Sequence, residues 1–268
     1  MADNPNFCDY TVKVVFNQLQ GLNCGCSLPY LGTVRHGGSL LFTLKRSSPN
    51  AQTAFQYSVT SFRGRALRNP PADFPYLLPV ANGRKVLISE SKYIGELLKD
   101  ERKEGFYALV VKTEPGDTIF AARRGVIAQV RNDVDPVGKD LWYARDANFV
   151  EIYHADGTFA RYDKLKRGQI WVEEGSFVEV GQPIGLVGGE NLSGGPALFF
   201  SVYFLPEENL REISAISYQH VKPSFCTGAN PAGEALQHGQ TYEAVRPEAV
   251  LVKEMSRREQ KRRQPKSK

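Results

Sequence analysis

The sequence predicts a mainly β protein built from two β domains, and three observations carry this. Apolar and polar residues alternate with period two in several runs, as in Phe55, Tyr57 and Val59 set against Gln56, Ser58 and Thr60. Almost nothing shows the 3.6-residue apolar period of a helix. The stretch RNPPADFPYLLP, residues 68–79, places four prolines in twelve residues, too many for a helix or a central strand, and so divides the chain.

Residues 1–70 read as a small antiparallel β domain. Tyr10 to Phe16 is rich in β-formers, and Leu40, Phe42 and Leu44 stand at alternate positions. Gly37-Gly38 and Ser47 to Asn50 are turn-like. Four to six short strands in this space suggest an immunoglobulin-like β-sandwich. Residues 71–105 read as linker and loop: the proline segment, then a charged stretch over 86–104 with a helical turn.

Residues 106–206 are again β. YALVVKT leads in, and NFVEIYHADGTFARYDKL makes a hairpin around Ala155-Asp156-Gly157. Gly116-Asp-Thr-Ile-Phe and Gly175-Ser-Phe-Val-Glu each open a short strand that runs on to a glycine turn. Two copies of one hairpin-rich unit predict an antiparallel two-sheet β domain. Residues 207–251 read as an irregular extension with one short strand near 240–245, and residues 252–268 as a basic tail, disordered or a frayed helix.

Charge narrows the function. The net charge is +5, but the last 17 residues alone hold eight Lys/Arg and two Glu, leaving the rest near −1. The body is therefore not a nucleic-acid binder, while the tail suits contact with anionic surfaces. No run of 18 apolar residues exists, so no helix is expected to span a membrane. MADNPNF has neither the charged start nor the apolar core of a signal peptide. That leaves a cytoplasmic chain or a form whose export signal has been removed. The four cysteines, Cys8, Cys24, Cys26 and Cys226, fit two disulfides in an exported protein. Cys24 and Cys26 are awkward partners for each other, which favours Cys8 bonded to one of them. Cys24-Gly-Cys26 has no nearby histidine and does not read as a zinc site. No G-x-S-x-G, Walker loop or dinucleotide fingerprint is present. His36, His220 and His238 are scattered, and Cys226 with His220 does not read as a catalytic pair.

Four segments, in order, carry a resemblance: GDTIFAARRGVIAQV, NFVEIYHADGTFARYDKL, VEEGSFVEVGQPIGLVGG and GGPALFFSVYF. Together they resemble the lysostaphin or LytM-type zinc peptidases, which cut peptidoglycan cross-bridges, over about residues 74–205. The resemblance implies the duplicated hybrid motif of that family for the second domain. It also implies a catalytically degenerate member. Val110 stands where an aspartate ligand belongs, and no histidine lies between His36 and His154 to precede it. The assisting histidine of Y-x-H-L is Lys164, and the two histidines of H-L-H are Ala197 and Phe199. A catalytic zinc needs about three protein ligands and an open position for water, so no metal, no cofactor and no catalytic residue are expected. His154, Tyr162, Lys164 and Phe199 are the candidate binding residues of the former cleft, while His154, on the strand face of Val150 and Ile152, and Tyr162, across that hairpin, also read as structural. The resemblance implies a regulator or scaffold of cell-wall processes, periplasmic or otherwise exported, that binds peptidoglycan or a protein partner in the envelope. Alternatives are a structural subunit of an envelope assembly with a closed cleft, or a metallopeptidase with unorthodox ligands.

Overall fold

Runs of β-branched and aromatic residues become strands through most of the chain, and the structure is mainly antiparallel sheet. A computed structural model describes residues 1–69, 73–90, 106–135, 147–189, 195–210 and 218–263. They divide into two units: residues 1–71 with 155–158 and 203–219, and residues 72–154, 159–202 and 220–268.

In the first unit, strands β1 (Tyr10–Gln20), β2 (Tyr30–Val34) and β3 (Ala54–Arg63) form an antiparallel sheet in the order β2-β1-β3. Val14 faces Tyr30 on one side and Val59 on the other. Three small ladders accompany it: Ala2–Asn4 with Gly37–Ser39, Leu22–Asn23 with Lys45–Arg46, and Ala66–Leu67 in parallel with Leu205 and Pro206. The antiparallel character expected here is present, in a smaller pairing than the two facing sheets of an immunoglobulin-like sandwich. Leu40, Phe42 and Leu44 do not form a strand. The Phe42 ring instead lies edge-on to Tyr30 at 4.9 Å and to Phe16 at 5.8 Å. The buried side of this unit gathers Phe62, Leu205 and Leu210, and the Lys13 ammonium donates to the Leu210 carbonyl at 2.7 Å.

The cysteine expectation is corrected here. The disulfide joins Cys24 to Cys26, with Cα atoms 5.1 Å apart, and not Cys8 to either. Gly25 between them has φ +66°, a turn that an L side chain rarely adopts, and it folds the two thiols onto each other. Cys8 and Cys226 are both buried.

Residues 71–105 are not a linker as far as the structure describes them. Pro75–Leu77 is a strand that pairs in parallel with Ser224–Cys226. It sits at the edge of its sheet with proline as its first residue, the one place a strand tolerates it. Lys85–Glu90 is strand β4, and Tyr76, Leu78, Val80, Val86 and Ile88 all enter the main core. The remainder of the charged stretch, 91–104, lies outside the described residues.

The second unit continues with β5 (Leu109–Lys112), β6 (Thr118–Phe120), β7 (Gly125–Arg131), β8 (Phe149–Tyr153), β9 (Phe159–Asp163), β10 (Leu165–Ile170), β11 (Phe177–Val178), β12 (Pro183–Val187), β13 (Ala197–Pro206) and β14 (Thr241–Glu243). The large sheet runs β11-β7-β8-β9-β13-β5-β4-β14, and a three-stranded sheet, β6-β12-β10, shares one core with it. The two sequence copies interlock. The strand after Gly116, β6, pairs with β12 of the second copy, while the strand after Gly175, β11, pairs with β7 of the first. The hairpin β8–β9 closes around Gly157, whose φ of +95° the turn requires.

The C-terminal region is more ordered than expected. Within 207–251 lie Gln219–Val221, Ser224–Cys226, Glu234–Ala235 and β14, and Phe225, Leu236 and Ala244 join the core. The tail takes the helical of its two expected forms over Arg257–Arg263, while 264–268 lies outside the described residues. Ser256 and Glu259 cap it reciprocally: the Ser256 amide donates to Glu259 Oε2 at 2.6 Å and the Glu259 amide to Ser256 Oγ at 3.4 Å. The acids of this segment hold it down. Glu254 accepts a forked bond from buried Arg123, and Glu259 accepts from Arg124 at 2.7 Å.

Candidate functional site

Alternation sorts the large sheet into two faces. Val150 and Ile152 on β8, Ala160 and Tyr162 on β9, and Leu198, Phe200 and Val202 on β13 point into the core. The Tyr162 and Phe200 rings meet edge to face at 5.0 Å, fixing the common side. The intervening residues occupy the opposite face: Phe149 and Glu151, Arg161 and Asp163, Ala197 and Phe199. Cross-strand register adds β5, with Val110 directly opposite Phe199 and Lys112 opposite Ala197. Three of the four former-site positions named from the sequence, Val110, Ala197 and Phe199, are therefore neighbours on one face.

Lys164, the fourth, follows β9. It is the one non-glycine residue with positive φ among the described residues, at +72°, a backbone region that costs a side-chain-bearing residue about 1 kcal/mol or more. Its neighbours hold it there. The Lys164 amide donates to the Asn148 carbonyl at 3.1 Å, and its carbonyl accepts from Gly188 at 2.7 Å. Its ammonium sits 5.8 Å from the centre of the Phe199 ring, within reach of a cation–π attraction. Burial pulls its pKa below the usual lysine value, with nearby Asp163 opposing that shift. Exposure divides the four positions. Val110 is 5% exposed and Ala197 is closed off at 0%, whereas Lys164 and Phe199 are partly exposed.

Beside them lies a charged cluster that the sequence reading missed. Arg161 Nε donates to both oxygens of Asp163, at 3.0 and 2.9 Å, and its guanidinium stacks over Phe149 at 3.7 Å. Its Nη1 is 3.8 Å from Glu151, which faces it across the hairpin and is only 1% exposed. The signal was available. Glu151, Arg161 and Asp163 alternate with the core residues Val150, Ile152 and Tyr162, which sets them together on the other face.

The remaining candidates go elsewhere. His154 and Tyr162 take the structural reading and not the cleft one: both are core residues. His154 Nδ1 lies 2.8 Å from the Arg124 carbonyl, and its ring packs edge-on to Tyr76. The Tyr162 hydroxyl accepts from the Ala122 amide at 2.8 Å, and burial pushes its pKa far up. Both are correctly placed for packing because they alternate onto the apolar side. His220 lies against Phe106 and Tyr107, with its pKa pulled down by burial, and His238 accepts from the Glu90 amide.

The chemistry of this face does not fit a catalytic zinc. Val110, Ala197 and Phe199 offer hydrocarbon, and Lys164 offers a cation, where three ligands and a water position are needed. Among the described residues no group of three His, Cys, Asp or Glu side chains is arranged to hold a metal ion.

Comparison with known proteins places this architecture. Residues 104–211 match the family model described as Peptidase family M23. No curated protein matches the chain. Among solved structures, one similar chain is the catalytic domain of the prophage-encoded M23 protein EnpA from Enterococcus faecalis, in a variant with one alanine replaced by histidine. It is 20% identical, covering 60% of this chain and 96% of that one with a TM-score of 0.32. Csd3 of Helicobacter pylori is 16% identical over 95% of this chain and 69% of its own, at a TM-score of 0.37. The SpoIIQ–SpoIIIAH pore-forming complex contributes a chain 18% identical over 54% of this one and all of its own, at 0.34. Over residues 104–211, then, the chain is similar to peptidase family M23.

Proposed function

We propose that this protein is a non-catalytic M23-type protein of the cell envelope. It binds peptidoglycan or a partner protein through the outer face of the large sheet and acts as a regulator or scaffold of cell-wall processes. One observation carries the reading: Val110 and Phe199 face each other across two strands, with Ala197 one residue pair away and Lys164 against Phe199. Hydrocarbon stands where the family's chemistry would require ligands, and a cation where it would require an assisting histidine. What the face does offer is an aromatic ring beside an ammonium, with Lys112 on the same side, a combination that suits a carboxylate carried on an extended peptide. The strained backbone at Lys164 supports a role beyond packing, since such strain concentrates at functional sites. The Cys24–Cys26 disulfide fits an oxidising, exported location.

A specific observation favours a second reading. Val110 and Ala197 are nearly inaccessible, which suits a structural subunit whose former cleft is closed.

The test is sedimentation of the full chain with insoluble peptidoglycan, with muropeptide release and bound metal measured on the same material. Wild type should co-sediment and release nothing. Lys164→Gly should relieve backbone strain, leaving stability equal or higher by at most about 1 kcal/mol, and yet lose binding, as should Phe199→Ala. Failure to co-sediment, together with capture of one envelope protein that Lys164→Gly and Phe199→Ala leave unchanged, would favour the closed-cleft reading. One equivalent of tightly held zinc with cross-bridge cleavage would overturn both.

A further inference from the structure

The edge strand β3 stands apart from every other long strand of the chain. In the order β2-β1-β3 it is terminal, so its outer row of amides and carbonyls meets no strand among the described residues. It is ten residues long, AFQYSVTSFR, with no proline and no charge before Arg63. Edge strands are ordinarily blunted by brevity, charge, proline or bulges. The opposite edge, β2, is half as long, at five residues, and carries a glycine. The bulge in the β1–β3 ladder lies on β1, between Phe16 and Gln18, and leaves β3 regular.

The strand also presents an apolar side. Phe55, Tyr57 and Val59 are 54%, 53% and 53% exposed. They continue an aromatic array in which Phe55 stacks on Tyr57 at 6.1 Å and Tyr57 approaches Phe16 at 6.1 Å. An unpaired main-chain row together with an exposed apolar ladder asks for one kind of occupant, another β-strand.

The geometry points to a second copy of this chain: a symmetric dimer in which the two β3 strands pair antiparallel, edge to edge. Charge decides for self-pairing. Like charges directly opposite destabilise a ladder, and between Ala54 and Phe62 there is none to repel its own copy. A twofold axis normal to the sheet keeps Phe55, Tyr57 and Val59 of both copies on one face, so each apolar side chain meets an apolar or neutral one. Pairing about Ser58, for example, sets Tyr57 against Val59 of the copy. The two three-stranded sheets then join into one of six strands, in which both β3 edges are paired and the shorter β2 strands form the ends.

The experiment is sedimentation velocity on the full chain across a dilution series, with wild type, Val59→Lys and Val59→Thr. Val59 is more than half exposed, so each variant should keep the wild-type circular dichroism and melting temperature. Wild type should run as a dimer that dissociates on dilution. Val59→Lys should raise the dissociation midpoint about tenfold or more, equivalent to about 1.4 kcal/mol, and Val59→Thr should leave it close to wild type. A wild-type chain that stays monomeric at the highest concentration overturns the proposal, even if it captures another protein's strand. So does a dimer indifferent to Val59→Lys.

Discussion

Two sheets of this chain, the one ending in β3 and the large one, show the same sequence signature and opposite outcomes. On β3, Phe55, Tyr57 and Val59 alternate with polar residues and lie more than half exposed; on the β8–β9 hairpin, Val150, Ile152 and Tyr162 alternate with Glu151, Arg161 and Asp163 and are inaccessible. The difference is not in the strands. The large sheet shares its core with a second layer made of β6, β10 and β12 and with Phe225 and Leu236 from the C-terminal region. Period-two alternation announces a strand with one apolar side; whether that side is buried depends on a layer encoded elsewhere in the chain.

The largest test of this contrast is truncation on each side of it. Phe200 touches Tyr76, Tyr162 and Phe225 at ring distances of 6.1, 5.0 and 5.7 Å. Phe200→Ala should therefore cost about 3–5 kcal/mol, through lost burial and the cavity left behind. Val59→Ala, measured in urea unfolding at concentrations where the chain is monomeric, should change stability by no more than about 0.5 kcal/mol. Equal costs would mean that β3 is covered by something within the single chain.

The next contrast is between ion pairs. Arg123 has a side chain 4% exposed, stacks on Phe74 at 4.0 Å and is neutralised by Glu254. Arg68 in the first unit is 82% exposed and pairs with Glu207 at 3.0 Å. Glu254→Ala strands a buried guanidinium and should cost about 3 kcal/mol. Glu207→Ala should cost less than about 1 kcal/mol. A small effect at Glu254 would show that the Tyr76 hydroxyl, 3.3 Å from Arg123, suffices for it.

What could be read from the chain follows the range of the interaction. The β8–β9 hairpin and the paired Gly116 and Gly175 segments were legible because turn and alternation are local. Their crosswise pairing was not, since nothing in either copy names its partner strand. Pro75 misled because proline excludes central strands and helices but permits an edge, and its partner, Ser224–Cys226, lies far downstream. Gly25 was the overlooked clue to the Cys24–Cys26 bridge. In the tail, the composition hid the Ser256-x-x-Glu259 capping signature. At the site, Val110, Ala197 and Phe199 could be placed only through the resemblance, whereas Glu151, Arg161 and Asp163 could have been found from alternation alone.

The smallest predicted effect concerns how the C-terminal helix responds to acid. Bonds from Arg124 and from Ser256 hold the Glu259 carboxyl at a pKa of about 2, against an ordinary 4.5. Its folded pKa lies below its unfolded one, so the unfolded segment binds the proton more readily. The stabilisation it gives is fully present above pH 4.5 and fades as pH falls toward 2. Hydrogen exchange at the amides of 257–263 should therefore quicken, beyond the intrinsic pH trend, as pH is lowered from about 5 to about 3, values chosen around that carboxyl window. In Glu259→Gln the same amides should already be less protected at about pH 6, on the neutral side of the window, and should show no further acid step. Protection independent of pH in the wild type would mean that the helix is held by Glu254 and its own backbone, with Arg124 and Glu259 contributing nothing to its docking.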